Sequence, residues 1–368
     1  MSLYAAYRSE AKAPQVGRIN DILAGNLCRC TGYGPIVRAA QAMYELPAPT
    51  TATENTDLAQ LQAIAHDETV ALQCAERRFF SPAMLETFAR IYEENPAATI
   101  LSGATDVGLW ITKLHRDIVT FISTNRVPEL QLVAEHDDTL HIGAAATWSD
   151  LEEVIGRRFP DFGELLRRFA SVQIRNVATI GGNIANGSPI GDGPPALIAL
   201  GARVVLRKGS ATRTLPLESF FIAYGKQDRQ PGEFVEAIEV PLIDRPEWLK
   251  CYKISKRFDQ DISAVCGCFN VDVAGGVVRA SRICFGGMAG TPKRAASVEA
   301  ALTGRTWTLA TVMDALPAFD RDYTPLGDMR GSAAYRSQAA KNLLIKYFHE
   351  TQHPLGETRL VGREAAFG

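Results

Sequence analysis

Residues 175–195, RNVATIGGNIANGSPIGDGPP, limit what this chain can fold into more than any other stretch. Gly181, Gly182, Gly187, Gly191 and Gly193 alternate there with Pro189, Pro194 and Pro195. Glycine raises the entropic cost of an ordered backbone and proline removes a donor, so neither an ordinary helix nor an ordinary strand is expected. A floppy linker is not expected either. Ile180, Ile184 and Ile190 are spaced to anchor the run, and Asn183, Asn186, Ser188 and Asp192 offer side-chain hydrogen bonds. Glycines let backbone N–H groups approach a ligand closely, and successive exposed N–H groups form an anion-binding concavity. From composition alone, a purely structural Gly/Pro loop accounts for the run equally well.

A second glycine turn lies upstream. Residues 99–108 read TILSGATDVG. Thr99–Leu101 has the look of a short buried strand, and Gly103 and Gly108 frame a turn that carries Ser102, Thr105 and Asp106. A strand running into a glycine turn can present backbone N–H groups to a pyrophosphate. The spacing is not G-x-G-x-x-G, so the dinucleotide fingerprint of the Rossmann fold is absent here.

The 368 residues suggest two or three domains, and 46% hydrophobic content against 22% charged content suits a soluble globular chain. A net charge of −2 gives no reason to expect nucleic acid or an anionic membrane surface. No apolar run approaches a membrane span and the first residues lack a signal-peptide pattern, so a cytoplasmic location is expected. Seven irregularly spaced cysteines make a poor disulfide framework. Cys266 and Cys268 alternate within AVCGCFNVDV and read as buried strand residues. The six histidines show no zinc-binding pattern.

Together the two glycine stretches, in this order and some seventy residues apart, resemble the FAD-binding domain of molybdenum hydroxylase flavoproteins. FFIAYGKQ, ISKRFDQDISAV and FGGMAGTPKRA extend the resemblance over nearly the whole chain, and it is nearest to the small, iron–sulfur and FAD-carrying subunits of bacterial xanthine dehydrogenases. The resemblance implies an α+β architecture. A fragment of a helical [2Fe–2S] domain comes first, then a two-subdomain, vanillyl-alcohol-oxidase-like FAD domain, then a small C-terminal domain of sheet and helices. The expected divisions are 1–50, a linker at 51–76, 77–250 and 251–368. The irregular alternation of helices and short strands also favours α+β over a doubly wound sheet.

Carried over residue by residue, Ile100, Leu101, Ser102, Gly103, Ala104, Thr105 and Asp106 would wrap the FAD pyrophosphate and ribityl chain. Ala178, Thr179, Gly182, Asn183, Ser188, Ile190 and Asp192 would form the second wall, with Asp192 accepting from ribityl hydroxyls. Phe169 would pack at the isoalloxazine edge; read without the resemblance, it is a core aromatic. Val235 and Lys253 occupy places that lie near the ring in the family. Loop 256–261, KRFDQD, would cover the flavin's open face; as a mixed-charge run it is otherwise a solvated turn.

Residues 20–45 contain GNLCRCTGYGPI. Asp21 is a candidate cap, Gly25 a helix stop and Pro35 a helix start. Cys28 and Cys30, one residue apart between helix ends, suit a metal or cluster, and the phrase resembles the second half of the family's helical [2Fe–2S] domain. Such a cluster takes four protein ligands, usually cysteines. The family's other two lie in a Cys-x-x-Cys pair just upstream of the segment that begins here, so the chain is read as N-terminally truncated, with half a cluster site. Further on, Ser81 and Pro82 are expected to open a helix bearing Met84, Leu85, Phe88 and Ile91 on one face; Thr147 or Ser149 caps another; and Ala274-Gly275-Gly276 joins two strands as a hairpin.

The resemblance implies an electron-transfer subunit of xanthine dehydrogenase. It would pass electrons from purine hydroxylation on a large molybdopterin-binding partner, through [2Fe–2S] and FAD, to NAD, in a heterodimer or heterotetramer. The redox chemistry would belong to the cofactors, and no acid–base pair or nucleophile triad is required. Two alternatives stand beside it: the FAD subunit of a carbon monoxide dehydrogenase or aldehyde oxidase-like hydroxylase, and a truncated FAD-binding protein that conducts no electrons.

Overall fold

The computed structural model describes residues 1–47 and 54–352. Three short helices open the chain: α1 (Ser2–Ser9), α2 (Val16–Leu23) and α3 (Gly34–Ala42). Pro35 sits in the first turn of α3, where its missing N–H is not needed. Asp21 caps nothing. It lies in the last turn of α2, and its carboxylate accepts Arg167 Nη1 at 3.0 Å. The 51–76 stretch expected as linker carries regular structure: α4 (Glu54–Ile64), then β1 (Val70–Cys74), which belongs to the first sheet. Residues 48–53 lie outside the described residues.

The first subdomain of the middle region adds β2 (Arg77–Ser81), α5 (Leu85–Glu94), β3 (Thr99–Leu101), α6 (Val107–Thr112) and β4 (Thr120–Ser123). Its sheet runs β1-β2-β4-β3, antiparallel at β1–β2 and parallel elsewhere. Helix α5 buries Leu85, Phe88, Ile91 and Tyr92 against Ile122 and Phe234. The helix does not open at Ser81 and Pro82. Ser81 is taken by the sheet, opposite Val70, and Met84 becomes the exposed residue preceding the first turn.

The second subdomain holds β5 (Val133–His136), β6 (Thr139–Gly143), α7 (Trp148–Arg158), α8 (Pro160–Arg168), α9 (Val172–Arg175), α10 (Ile180–Asn186), α11 (Gly193–Leu200), β7 (Arg203–Lys208), β8 (Ala211–Pro216), α12 (Leu217–Phe220), β9 (Phe221–Ala223), β10 (Lys226–Gln227) and β11 (Phe234–Pro241). Five strands form an antiparallel sheet, β5-β6-β11-β7-β8, and β9 and β10 form a separate hairpin. Thr147 caps α7 with a reciprocal bond to Asp150, so the cap is Thr147 and not Ser149.

The glycine-rich run corrects an expectation, because much of it is helical. Helix α10 spans Gly181 and Gly182, and α11 starts at Gly193. Three local conditions offset the glycine and proline penalties. Thr179 Oγ1 accepts the Gly182 N–H at 3.2 Å and caps α10. Gly187, at φ 62°, closes α10 in the left-handed region. Pro194 and Pro195 fall in the first turn of α11, where no intrahelical donor is required. Every residue of α11 is buried, as an all-apolar helix must be, and it packs between the antiparallel sheet and the C-terminal domain.

The C-terminal domain starts with β12 (Lys250–Ile254), β13 (Val265–Ala274), β14 (Val277–Gly286) and β15 (Lys293–Arg294), an antiparallel sheet in chain order. Gly275 and Gly276, at φ 60° and 76°, form the expected hairpin turn. Cys251, Cys268 and Cys284 lie opposite one another across three strands, and all are buried, as is Cys266. Helices α13 (Ala296–Leu302), α14 (Leu309–Ala315), α15 (Phe319–Asp322) and α16 (Ala333–Gln352) cover the other face of the sheet. No described helix is long and apolar enough to cross a membrane.

Candidate functional site

The two glycine stretches meet. A Cβ added at Gly103 would overlap the backbone carbonyl of Val177, so the first turn rests directly on the entry to the second. The β3–α6 turn is also tied back by Thr124 Oγ1, which donates to Ser102 Oγ at 2.9 Å. Ala104 follows in the left-handed region, at φ 58°. The N–H groups of Gly103, Ala104, Thr105 and Asp106 donate to no carbonyl or side chain among the described residues. Alternating hand with idle amides is the backbone form of an anion nest.

The second wall is built on buried supports. Ala178 and Thr179 are buried, and Thr179 bridges Thr147. Gly181 lies so close to Ala144 that no side chain fits between them. Gly182 faces solvent with open space beyond the Thr179 hydroxyl. Asn183 Oδ1 is a buried acceptor with no hydrogen-bond partner, and it lies 2.7 Å from where a Cβ on Gly193 would stand. The Trp148 ring lies 2.9 Å from the same point, and its Nε1–H is also unpartnered. Pro189 O accepts Gly287 N–H at 2.7 Å, pinning the run to the C-terminal domain, while Ser188 and Ile190 remain half-exposed beside it.

Asp192 and Lys253, from different domains, come together. Lys253 Nζ donates to Asp192 Oδ2 at 2.6 Å and to Ser263 Oγ at 2.8 Å, and Ser263 Oγ donates to Asp192 Oδ1 at 2.5 Å. All three are buried, so a charged pair is held in a dry setting with its hydrogen bonds satisfied. Ser263 carried no signal of its own in the sequence; it lay inside the ISKRFDQDISAV phrase. Val235 is buried on β11 next to a bulge, in the core cluster shared with Ala178, Ile180 and Ile184. Phe169 is half-buried at the end of α8 and meets Trp148 edge-on, with centroids 5.5 Å apart. It is thus both a packing aromatic and a neighbour of the second wall.

Loop 256–261 is held from within and from below. Arg257 N–H donates to Asp261 at 2.8 Å, and that backbone bond, with a smaller part from the Arg257 guanidinium, keeps the Asp261 carboxyl below its ordinary range. Arg168, another residue the sequence did not single out, donates to Phe258 O at 3.0 Å and Lys253 O at 3.2 Å. It also lies 4.3 Å over the Phe258 ring.

At the N-terminal end, Cys28 and Cys30 sit on the loop between α2 and α3. Cys28 Sγ lies 3.3 Å from Thr31 Oγ1, and Tyr33 OH accepts Cys28 N–H at 2.9 Å. The Thr31 hydroxyl, with nearby amides, holds the Cys28 thiol below its ordinary range. Among the described residues, no group of three or more His, Cys, Asp or Glu is placed to hold a metal ion. Cys28 and Cys30 therefore stand as a pair.

The donor set fits a dinucleotide cofactor with a pyrophosphate: idle amides in a nest on one side, and an orphan acceptor, an exposed glycine backbone and a fixed carboxylate on the other. Comparison with known proteins agrees. Residues 73–243 match the FAD binding domain in molybdopterin dehydrogenase, residues 250–351 the CO dehydrogenase flavoprotein C-terminal domain, and residues 1–41 a [2Fe-2S] binding domain. A xanthine dehydrogenase of Emericella nidulans is 27% identical over 410 residues, which cover 95% of this chain and 30% of that protein. Nicotinate hydroxylase hnxS of the same organism is 31% identical over 77% of this chain and 23% of its own length. The chain thus spans a third or less of these curated relatives. The structure of a carbon monoxide dehydrogenase from Hydrogenophaga pseudoflava superposes with a TM-score of 0.68 at 27% identity, covering 75% of this chain and 96% of that one. The chain carries the FAD-binding and [2Fe–2S]-binding domains of the molybdenum hydroxylase family, on a fold like that of the carbon monoxide dehydrogenase chain from Hydrogenophaga pseudoflava.

Proposed function

We propose that this chain is the electron-transfer flavoprotein part of a xanthine dehydrogenase. Purine hydroxylation would take place on a molybdopterin-binding partner, and electrons would reach FAD by way of [2Fe–2S] and leave to NAD. The observation that carries the flavin assignment is the meeting of the two glycine stretches, with idle amides on one side and the unpartnered Asn183 oxygen on the other. FAD, when bound, supplies the hydride and single-electron chemistry; the protein places and tunes it.

The chain's own residues have separate tasks in this reading. Residues 100–106 bind the pyrophosphate through backbone N–H groups. Ala178, Thr179, Gly182 and Asn183 form the opposite wall. Asp192 has two oxygens held by Lys253 and Ser263, so its remaining lone pairs point in fixed directions for ribityl hydroxyls. Val235, Phe169 and Lys253 border the ring, and Lys253 places a cation where it stabilises negative charge on it. Loop 256–261 covers the open face where nicotinamide would approach.

The purine reading draws support from the [2Fe–2S] segment on the same polypeptide, and from an alignment to xanthine dehydrogenase that spans 95% of the chain. The test has two parts. Purified protein should hold one FAD per chain and oxidise NADH with an artificial acceptor; absence of flavin overturns the reading. In the complex with its molybdopterin subunit, xanthine should reduce the flavin, and reduction by carbon monoxide instead would move the chain to the other branch.

A further inference from the structure

Arg175 is the least exposed arginine near the site, with 3% of its surface accessible, and its partners are almost all uncharged. Nη1 donates to Phe169 O at 2.9 Å, Ala170 O at 3.1 Å and, more weakly, Arg167 O at 3.4 Å. Nε has no hydrogen-bond partner and makes only a long ion pair, 3.9 Å, with Glu152 Oε2, whose side chain is 40% exposed. Burial holds the guanidinium below its ordinary range. These carbonyls are the last of α8 and of the turn beyond it, groups that a helix end leaves without intrahelical donors. A cation is favoured at such an end. Ala170 is left-handed, at φ 51°, so the turn is a tight one that the guanidinium fastens from inside.

What stands on this corner makes it more than a helix cap. Arg167 reaches Asp21 of α2. Gln173 Nε2 donates to Ser2 Oγ at 2.9 Å, and a Cβ on Gly25 would overlap the Gln173 side chain. The segment carrying Cys28 and Cys30 therefore leans on residues 167–173. The same corner projects Phe169 onto Trp148, beneath Gly193 and Asn183, and Arg168 onto the loop at Phe258.

We infer that Arg175 is a positioning residue shared by two sites: through one turn it sets both the seat of the iron–sulfur segment and the flavin-side placement of Phe169. This rests on the flavin reading above. Burying a guanidinium mainly on neutral carbonyls opposes folding, and a shared support is what this geometry offers in return. Arg175 opens the second glycine stretch, but its guanidinium binds carbonyls within residues 167–170 and not residues 178–192, so the chain should retain FAD on its loss while both neighbours are disturbed.

The experiment compares Arg175→Met, Arg175→Lys and Arg167→Met in the full chain. Hydrogen exchange over residues 16–23 reports the first site, and the visible circular dichroism of bound flavin reports the second. Arg175→Met is expected to retain FAD, raise exchange over 16–23 by about tenfold and change the flavin dichroism. Arg175→Lys, with its charge but no fork, should give an intermediate shift in both and serves if the methionine variant does not fold. Arg167→Met should raise exchange alone. A change in only one readout, or in neither, for the Arg175 variants overturns the inference. Should the parent protein hold no flavin, the functional reading fails, and unchanged exchange over 16–23 would separately sink the role of Arg175.

Discussion

Gly103 and Gly182 look alike in the sequence, and the structure separates them. A side chain at Gly103 meets backbone, the Val177 carbonyl, which cannot move without parting the two stretches. At Gly182 only the Thr179 oxygen lies near, at 2.9 Å, and it can give way by loosening the cap it makes to the Gly182 N–H, with no backbone displaced. Gly103→Ala should therefore lower stability by about 1–3 kcal/mol and also lose flavin. Gly182→Val should lose flavin by blocking close backbone approach, while the apoprotein loses no more than the roughly 1 kcal/mol that a helix cap is worth. Stoichiometric FAD in purified Gly182→Val would refute the placement of the second wall. Cys28 allows a test by pH. Its thiol lies below the ordinary range because Thr31 and nearby amides favour the thiolate, so thiolate persists to lower pH than in a free cysteine. Its alkylation rate should rise with a midpoint below about 8.5, while Cys266, Cys268 and Cys284 stay unmodified until the chain unfolds. Mass spectrometry of modified peptides across pH checks both. At this scale the sequence exposed glycines, cysteines and Asp192 through their residue types. It could not expose Ser263, Arg168 or Arg175, because an ordinary serine or arginine gives no sign of being buried.

Helices α10 and α11 show how tertiary context overrides local preference. Glycine and proline content argued against helix, and propensity alone would agree. The cap at Thr179, the glycine at φ 62° that closes α10 and the first-turn prolines reverse the outcome. Thr179→Ala should destabilise the fold by about 1 kcal/mol and release the Gly182 amide, which an upward shift in flavin dissociation constant would register. The same kind of override explains why Ser81 and Asp21 fail as caps: one is claimed by a strand, the other by an arginine of the next domain. The hairpin at Gly275-Gly276 and the cap at Thr147 were legible because their chemistry is local. Between α11 and β12, Asp192 and Lys253 form a buried link with side-chain exposures of 7% and 2%. Removing one partner leaves the other charge stranded, so Lys253→Met should cost about 3–5 kcal/mol. Urea unfolding of the apoprotein measures this without the flavin's contribution, and a loss under about 1 kcal/mol would mean that the pair is open to water.

At the scale of the whole molecule, the order of segments was readable from quoted phrases, but their seating was not. Nothing in GNLCRCTGYGPI announces that Gly25 will rest on Gln173, because that contact depends on a residue 148 positions away in the chain. The seating bears on the last prediction, that this polypeptide by itself carries no stable [2Fe–2S] cluster. Cys28 and Cys30 provide two thiolates, and clusters of this kind usually take four cysteine ligands. Among the described residues no third metal-binding side chain joins them. Cys74 lies on β1 in the first sheet, and Cys251, Cys266, Cys268 and Cys284 are buried in the C-terminal sheet, where burial raises the Cys268 and Cys284 thiols well above their ordinary range and keeps them protonated. None can reach the loop between α2 and α3 without unfolding a sheet. Anaerobically purified protein should therefore contain far less than two irons and two acid-labile sulfides per chain, with no rhombic paramagnetic signal after reduction. Oxidation of NADH by this polypeptide alone should persist, since it needs only the flavin and its open face, while the purine-driven reduction expected of the complex would need the cluster completed by ligands from outside these residues. Two irons per chain with a rhombic signal would overturn this, and would require ligands from outside residues 1–368.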